Sequence, residues 1–324
     1  MAEHLVHASG RKRLSPIKWL SAVTLTGLFL INLMGFVDSE TGSTFGCGRD
    51  WPLCNGKFVP SAWDAHTFIE FSHRAVVGFV TILLVALSVW AVLRYRGRKH
   101  VKALAAISLI FVGLQAMLGA MAVFFVNPPA VLALHFGFSL IAFSGVLLMT
   151  ISIWKLESDD SSLPRNGDRF KPLSVSIKRW IWTTLVYVYG AVYFGAYVSR
   201  TGAGDKFRGW PFPQESWMTA GNAVLLDYIH RSIALGLIVL MINLYIRAYL
   251  IRKTRPDIFR GTLLALLLML MQALSGGLLI ATRISLDAFL LHVSIMTFLF
   301  GSLSYLGIQT LQTSGFKLKG ARTK

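Results

Sequence analysis

Charge is scarce in this chain, acidic side chains are scarcer, and cysteine is almost missing. Charged residues fill 15% of 324 positions against 54% hydrophobic, too few to cover a soluble domain of that length. Acidic residues number 15 against 32 lysines and arginines, a net charge of +17 that by itself would suit a nucleic-acid partner. Nucleic acid is excluded by where the cations fall, because they keep to alternate connections between apolar runs. Cysteine occurs only at positions 47 and 54, so no apolar run carries a thiolate. What the chain has in quantity is long apolar sequence. Runs near 17–37, 69–93, 103–125, 130–154, 180–199, 223–246, 261–282 and 287–311 each approach the about 20 residues that cross a bilayer.

The lipid bilayer is therefore the solvent, and the fold expected is an all-α integral membrane protein of eight transmembrane helices. The first run is too long for a signal-peptide core and no small-residue cleavage site follows it, so it stays as a helix. Of the 32 cations, 24 lie in the N-terminal segment to Lys18, in 94–102, 155–179 and 247–260, and in the C-terminal tail. That side reads as cytoplasmic, with both termini on it, in a multi-pass protein of the cell (plasma) membrane. Cys47 and Cys54 fall in the loop GCGRDWPLCNG on the extracytoplasmic side, where thiols oxidise. A structural staple and a redox-active pair both fit that spacing.

The chain reads as one unit written twice. Glu70-Phe71-Ser72-His73-Arg74 matches Asp227-Tyr228-Ile229-His230-Arg231 at an offset of 157, and Gln115 with Gln272 and His135 with His292 repeat that offset. The outer loops echo it at 160 and 159, Glu40-Thr41-Gly42 with Arg200-Thr201-Gly202 and Trp51-Pro52 with Trp210-Pro211. Two parallel four-helix bundles related by internal duplication follow, with the second copy entering the membrane in the same sense as the first. The boundaries are a tail over 1–16, an N-terminal half over 17–154, a polar linker over 155–179, a C-terminal half over 180–311 and a tail over 312–324.

Of eight histidines, His4, His7, His66 and His100 lie in solvated segments. His73, His135, His230 and His292 fall inside apolar spans, where an ionisable group is costly and marks function. Each sits within the first turns from the outer end, so the four share one depth, and within each half two face each other across the bundle. That is how a porphyrin iron is held from both sides. A zinc site needs about four converging N or S ligands, which the spans do not supply. Arg74 and Arg231 follow two of the histidines and suit porphyrin propionates; snorkelling to headgroups is the plainer alternative. Trp51 and Trp210 suit either an interfacial belt or lids. Glu70, three residues before His73, shares its face, whereas its counterpart Asp227 is shorter and has no cysteine loop before it. The first half thus carries the extra chemistry, although a carboxylate favoured by the helix dipole is the plainer reading of both.

These blocks resemble the heme A synthase family over nearly the whole chain: GCGRDWPLCNG, IEFSHR at 69–74, LHFG at 134–137, DYIHR at 227–231 and LLH at 290–292, in the family's order, with the cysteine-containing outer loop of its Gram-positive-type branch. The resemblance implies oxidation of the C8 methyl group of heme O, the substrate, to the formyl group of heme A, with heme b as cofactor. It implies heme b on His230 and His292, substrate on His73 and His135, Glu70 as the catalytic carboxylate, and a disulfide between Cys47 and Cys54. It also implies a heme O synthase upstream, an aa3-type oxidase downstream and an electron donor that no residue identifies. The formyl oxygen would come from O₂ or from water. A di-heme electron carrier shares every histidine and is the rival class. A transporter of parallel repeats would want helices broken at mid-membrane, whereas the polar groups here gather at one edge.

Overall fold

The computed structural model describes residues 15–158 and 172–312. Most of both predicted tails and the centre of the predicted linker lie outside them. Eight long helices carry the fold: α1 (Pro16–Glu40), α2 (Ala65–Arg94), α3 (Lys99–Phe124), α4 (Pro129–Glu157), α5 (Val175–Arg200), α7 (Asn222–Leu250), α8 (Pro256–Ala281) and α9 (Leu286–Gln312). A single turn, α6 (Trp217–Ala220), precedes α7. All eight long helices are apolar and long enough to cross a membrane. No β-strand forms among the described residues; Cys54 and Lys57 make one isolated bridge.

The helices start earlier than the apolar runs because polar residues cap them. Asp64 accepts the Thr67 amide at 2.7 Å and opens α2 four residues before its apolar run. Ser174 accepts the Ile177 amide at 3.3 Å and opens α5 ahead of Lys178 and Arg179. Prolines 16, 129 and 256 occupy first turns, where the missing N–H removes nothing and the fixed φ suits the helix.

Within residues 15–158, α1 packs on α2 and α4, while α3 packs between the same two; α5, α7, α8 and α9 repeat that arrangement. The two groups meet where α4 touches α5 and α9, and where α1 touches α9. In α4 and α9, 56% and 50% of the most apolar stretch is buried, against 22–28% in the other spans. Those two helices are the centre of the molecule, and they carry His135 and His292. Leu84, Leu87 and Met149 anchor one core, and Ile181, Met241 and Leu299 the other. Ile82, Val186, Leu235 and Val239 point outward, as an apolar solvent permits.

The two ends of the bundle differ. At one end the Lys18 ammonium stands over Trp154, Lys155 stands over Tyr305, and Glu157 accepts from Arg94 at 2.8 Å and Tyr95 at 2.6 Å. The opposite end carries the disulfide-bearing loop, the 201–216 connection, and a Glu40–Arg200 ion pair that ties α1 to α5.

Candidate functional site

His73 and His230 each lie eight residues into α2 and α7, and His135 and His292 each lie six residues into α4 and α9. At 1.5 Å per residue that places all four about 9–12 Å below the disulfide-bearing end. All four line one continuous cavity of about 990 Å³, at the top of the range for small-molecule sites. Phe36, Phe136 and Phe289 meet edge to face where the two groups of helices join, with centroids 4.7 and 5.4 Å apart, and all three belong to the wall. Among the described residues, no three His, Cys, Asp or Glu side chains converge as a metal cluster would require. Two histidines per chamber are what the cavity offers.

Each histidine ring rests on a glycine of the neighbouring helix. A Cβ at Gly35 would lie 3.3 Å from His73 Nε2, one at Gly119 3.4 Å from His135 Cε1, one at Gly195 3.1 Å from His230 Cε1, and one at Gly276 3.7 Å from His292 Cε1. Backbone thus replaces side chain where the ring needs room.

Polar satisfaction around the rings is incomplete in an informative way. Nδ1 of His230 is buried with no partner, a state that carries the cost of an unmade hydrogen bond. His292 is held in one tautomer. Ser275 Oγ donates to the Gln272 carbonyl at 2.9 Å, so it accepts from His292 Nδ1–H at 2.9 Å. Nε2 keeps its lone pair, which the Gln272 amide meets at 2.8 Å. With Nδ1 against Ser275 and Nε2 toward the cavity, His292 is oriented as a metal-ligating histidine would be, with Ser275 as the orienting partner.

Two loops close the disulfide-bearing end. Cys47 and Cys54 are bonded, and the loop docks on the first turns of α2. Gly46 sits where a Cβ would meet the His66 carbonyl at 2.4 Å, and its own carbonyl accepts from Thr67 at 2.9 Å. Glu70 is 3% exposed. One of its oxygens pairs with Arg74 and the other accepts the Cys47 amide at 2.6 Å, while Arg74 also donates to the Leu53 carbonyl at 2.7 Å. In the other chamber, Arg231 donates to Asp227 at 2.6 Å and to the Pro211 carbonyl at 3.0 Å. Nearby Glu215 is buried, which opposes ionisation, yet the Arg208 amide and the Arg231 charge hold its carboxyl below the usual carboxylate range. Both arginines line the cavity, so they fasten loops and face the interior at once. Trp51 and Trp210 also line it, and Trp210 lies against Gly277 of α8, which favours lids over a belt.

Sequence reading missed several groups here. Asn32 and Asp38 of α1 are cavity-lining, and each carries a buried polar atom without a partner. Asn32 within the first apolar run and Asp38 one residue past it were visible beside Val192 and Val198, which stand 160 positions on. Ser275, Glu215 and the four glycines carried no such mark. His66 was assigned to a solvated loop; it lies in the first turn of α2 because Asp64 caps that helix, and its Nδ1 is 3.0 Å from Ser43 Oγ.

Residues 18–304 match the family model described as cytochrome oxidase assembly protein, a span that takes in all four histidines, Glu70 and both cysteines. A protein of Geobacillus kaustophilus named heme A synthase is 36% identical over 315 residues, covering 94% of this chain and 95% of that protein. The chain belongs to the heme A synthase family. Other members so named, from Staphylococcus saprophyticus and Bacillus cereus, are each 35% identical over 303 and 299 residues, covering 92% and 90% of this chain and 96% and 92% of their own. The family match therefore covers both groups of helices and the whole cavity between them.

Proposed function

We propose that the chain oxidises the C8 methyl group of heme O to the formyl group of heme A, working in the His73–His135 chamber beside a heme b held by His230 and His292. The observation that carries this reading is the single cavity that brings two histidine pairs to one depth, in a chain of this family. The four-helix groups are read as duplicated halves, because His73, His135, His230 and His292 occupy matching helical positions and rest on matching glycines. The resident heme b would supply reversible one-electron chemistry at its iron.

The chain's own residues divide the remaining tasks. Ser275 orients His292, and Gln272 yields Nε2 when a ligand arrives. Arg74 and Arg231 face the cavity from the loop-bearing end, where a guanidinium meets a porphyrin carboxylate in bidentate fashion. Glu70 holds Arg74 and the cysteine loop over the first chamber and is the carboxylate nearest His73 in sequence. Trp51 and Trp210 shield the mouth from water. Heme O would come from a heme O synthase and heme A pass to an aa3-type oxidase, with the loops on the extracytoplasmic side of the cell membrane.

The test is expression with and without a heme O source, then acid-acetone extraction and chromatography of the bound hemes. Heme A appearing only with heme O supplied is the expected result. Two molecules of heme b per chain, with the porphyrin unchanged, would make the protein a di-heme electron carrier instead. A smaller test addresses ring packing. Gly195→Ala places a methyl 3.1 Å from His230 Cε1, tighter than ordinary contact. The ring must turn, and the expected result is a shifted absorption band and lower occupancy of the resident heme, with Gly97→Ala, which meets nothing within 4 Å, as the unaffected control.

A further inference from the structure

The offsets that align the histidines also align the walls of the two chambers, and those walls differ in size and polarity. Along α2 and α3 the first chamber is lined by Gly78, Thr81 and Val112; the matching residues of α7 and α8, 157 positions on, are Leu235, Ile238 and Met269, and all six line the cavity. Ser139 of α4 stands where α9 has Met296, and Asn32 of α1 where α5 has Val192. At each of these positions the first chamber carries the smaller or the more polar side chain. The difference is directional. At the wall where the two groups of helices join, the order of size reverses, with Phe36 and Phe136 in the first chamber against Ala196 and Val293 in the second.

The five positions all lie inward of the histidines, away from the loop-bearing end. Gly78 and Thr81 come five and eight residues after His73, Ser139 comes four after His135, and Val112 comes seven before Gly119, on which His135 rests. At 1.5 Å per residue these are about 6–12 Å further in. Asn32 is one turn, about 4.5 Å, inward of Gly35, on which His73 rests. A Cβ at Gly78 would meet nothing within 4 Å, so the missing side chain leaves open space rather than a close contact. Asn32 Nδ2 is buried with no partner, a donor that carries the cost of an unmade hydrogen bond. Thr81 and Ser139 donate to the Val77 and Phe136 carbonyls at 2.7 and 2.8 Å, which leaves their oxygens free to accept.

We propose that this enlarged inner end of the first chamber seats the hydroxylated isoprenoid arm of heme O, with Asn32 donating to the arm's hydroxyl and Gly78, Thr81 and Val112 leaving room for its chain; the inference rests on the proposed function. Heme O differs from heme b in one substituent, where a vinyl group is replaced by a hydroxyethyl group bearing a farnesyl chain, on the porphyrin edge away from the propionates. Arg74, suited to the propionates, faces the cavity from the loop-bearing end, so the substituted edge points inward, toward the open space. Gly78 is both cavity-lining and exposed, which lets the end of an apolar chain pass out to lipid. The second chamber fills the same space with Leu235, Ile238 and Met269 and offers Val192 in place of the amide. That suits a porphyrin whose inward edge carries only vinyl and methyl groups.

The experiment titrates the full chain, purified with its resident heme, with heme O and separately with heme b, and follows binding in the first chamber by absorption. The parent is expected to bind heme O the more tightly. Combining Gly78→Leu, Thr81→Ile and Val112→Met writes the second chamber's side chains into the first, and is expected to weaken heme O binding about tenfold or more by overfilling while heme b binding is unchanged. Asn32→Val is expected to weaken heme O binding about fivefold, the worth of one neutral hydrogen bond, again with heme b unchanged. Parental heme O affinity in the combined variant, or equal losses for both hemes, would overturn the seat, and unchanged heme O affinity in Asn32→Val would overturn the role of the amide. A parent that prefers heme O yet makes no heme A fails the proposed function alone, whereas a parent without that preference overturns the seat itself.

Discussion

Glu70→Gln is expected to lower heme A formation by about 100-fold or more while the second chamber keeps its heme. The magnitude follows from removing a charged, positioned group at a reaction site. The structure adds a specific reason. The two Glu70 oxygens accept from two donors, Arg74 and the Cys47 amide, and a glutamine side chain has one acceptor and one donor end. One of the two donors must then face an NH₂ group, so the guanidinium loses its counter-charge or the cysteine loop loses its anchor on α2. Glu70→Asp keeps the charge at the length of Asp227 and is expected to retain part of the activity. Quantifying heme A against total heme in extracts of each variant checks the result. Loss of every heme from Glu70→Gln would make this carboxylate a structural group.

His292→Ala carries the other large effect: the resident heme is expected to fall to background in the purified chain, and heme A with it. His292 is the histidine whose tautomer is already fixed for ligation, by Ser275 on Nδ1, so no neighbour substitutes for it. Ser275→Ala leaves the ligand but frees the ring, and a loss of about 10–100-fold in heme affinity is the expected consequence. Difference spectra of the reduced and oxidised protein measure both. His73→Ala is the counterpart, expected to spare the resident spectrum and abolish conversion. A His292→Ala chain that kept its second-half spectrum would place the heme elsewhere.

The eight spans were legible because hydrophobic length is a one-dimensional property, and the histidines because a titratable group in an apolar run is conspicuous. Helix starts were not. Asp64 and Ser174 are polar, so hydropathy assigns them to loops, although a side chain accepting an amide is what begins α2 and α5. The same blindness hid His66. Arg74 and Arg231 were read toward a ligand, but their contacts with the Leu53 and Pro211 carbonyls join segments about 20 residues apart and need the loop fold to be known. Asp38 is the instructive case. It lies one residue past the first apolar run, and the 160-residue offset of the outer loops aligns it with Val198, but only the packed structure leaves its oxygen without a partner.

The lining of one cavity runs from His73 to His292. Whatever occupies one end becomes furniture for the other. On the proposed reading, the resident porphyrin supplies part of the surface against which the incoming one is fitted, so the chain's selectivity is completed only after its first guest has settled. Loading is then an ordered event, and a chain that has not received its permanent occupant presents a differently shaped room to every porphyrin that follows.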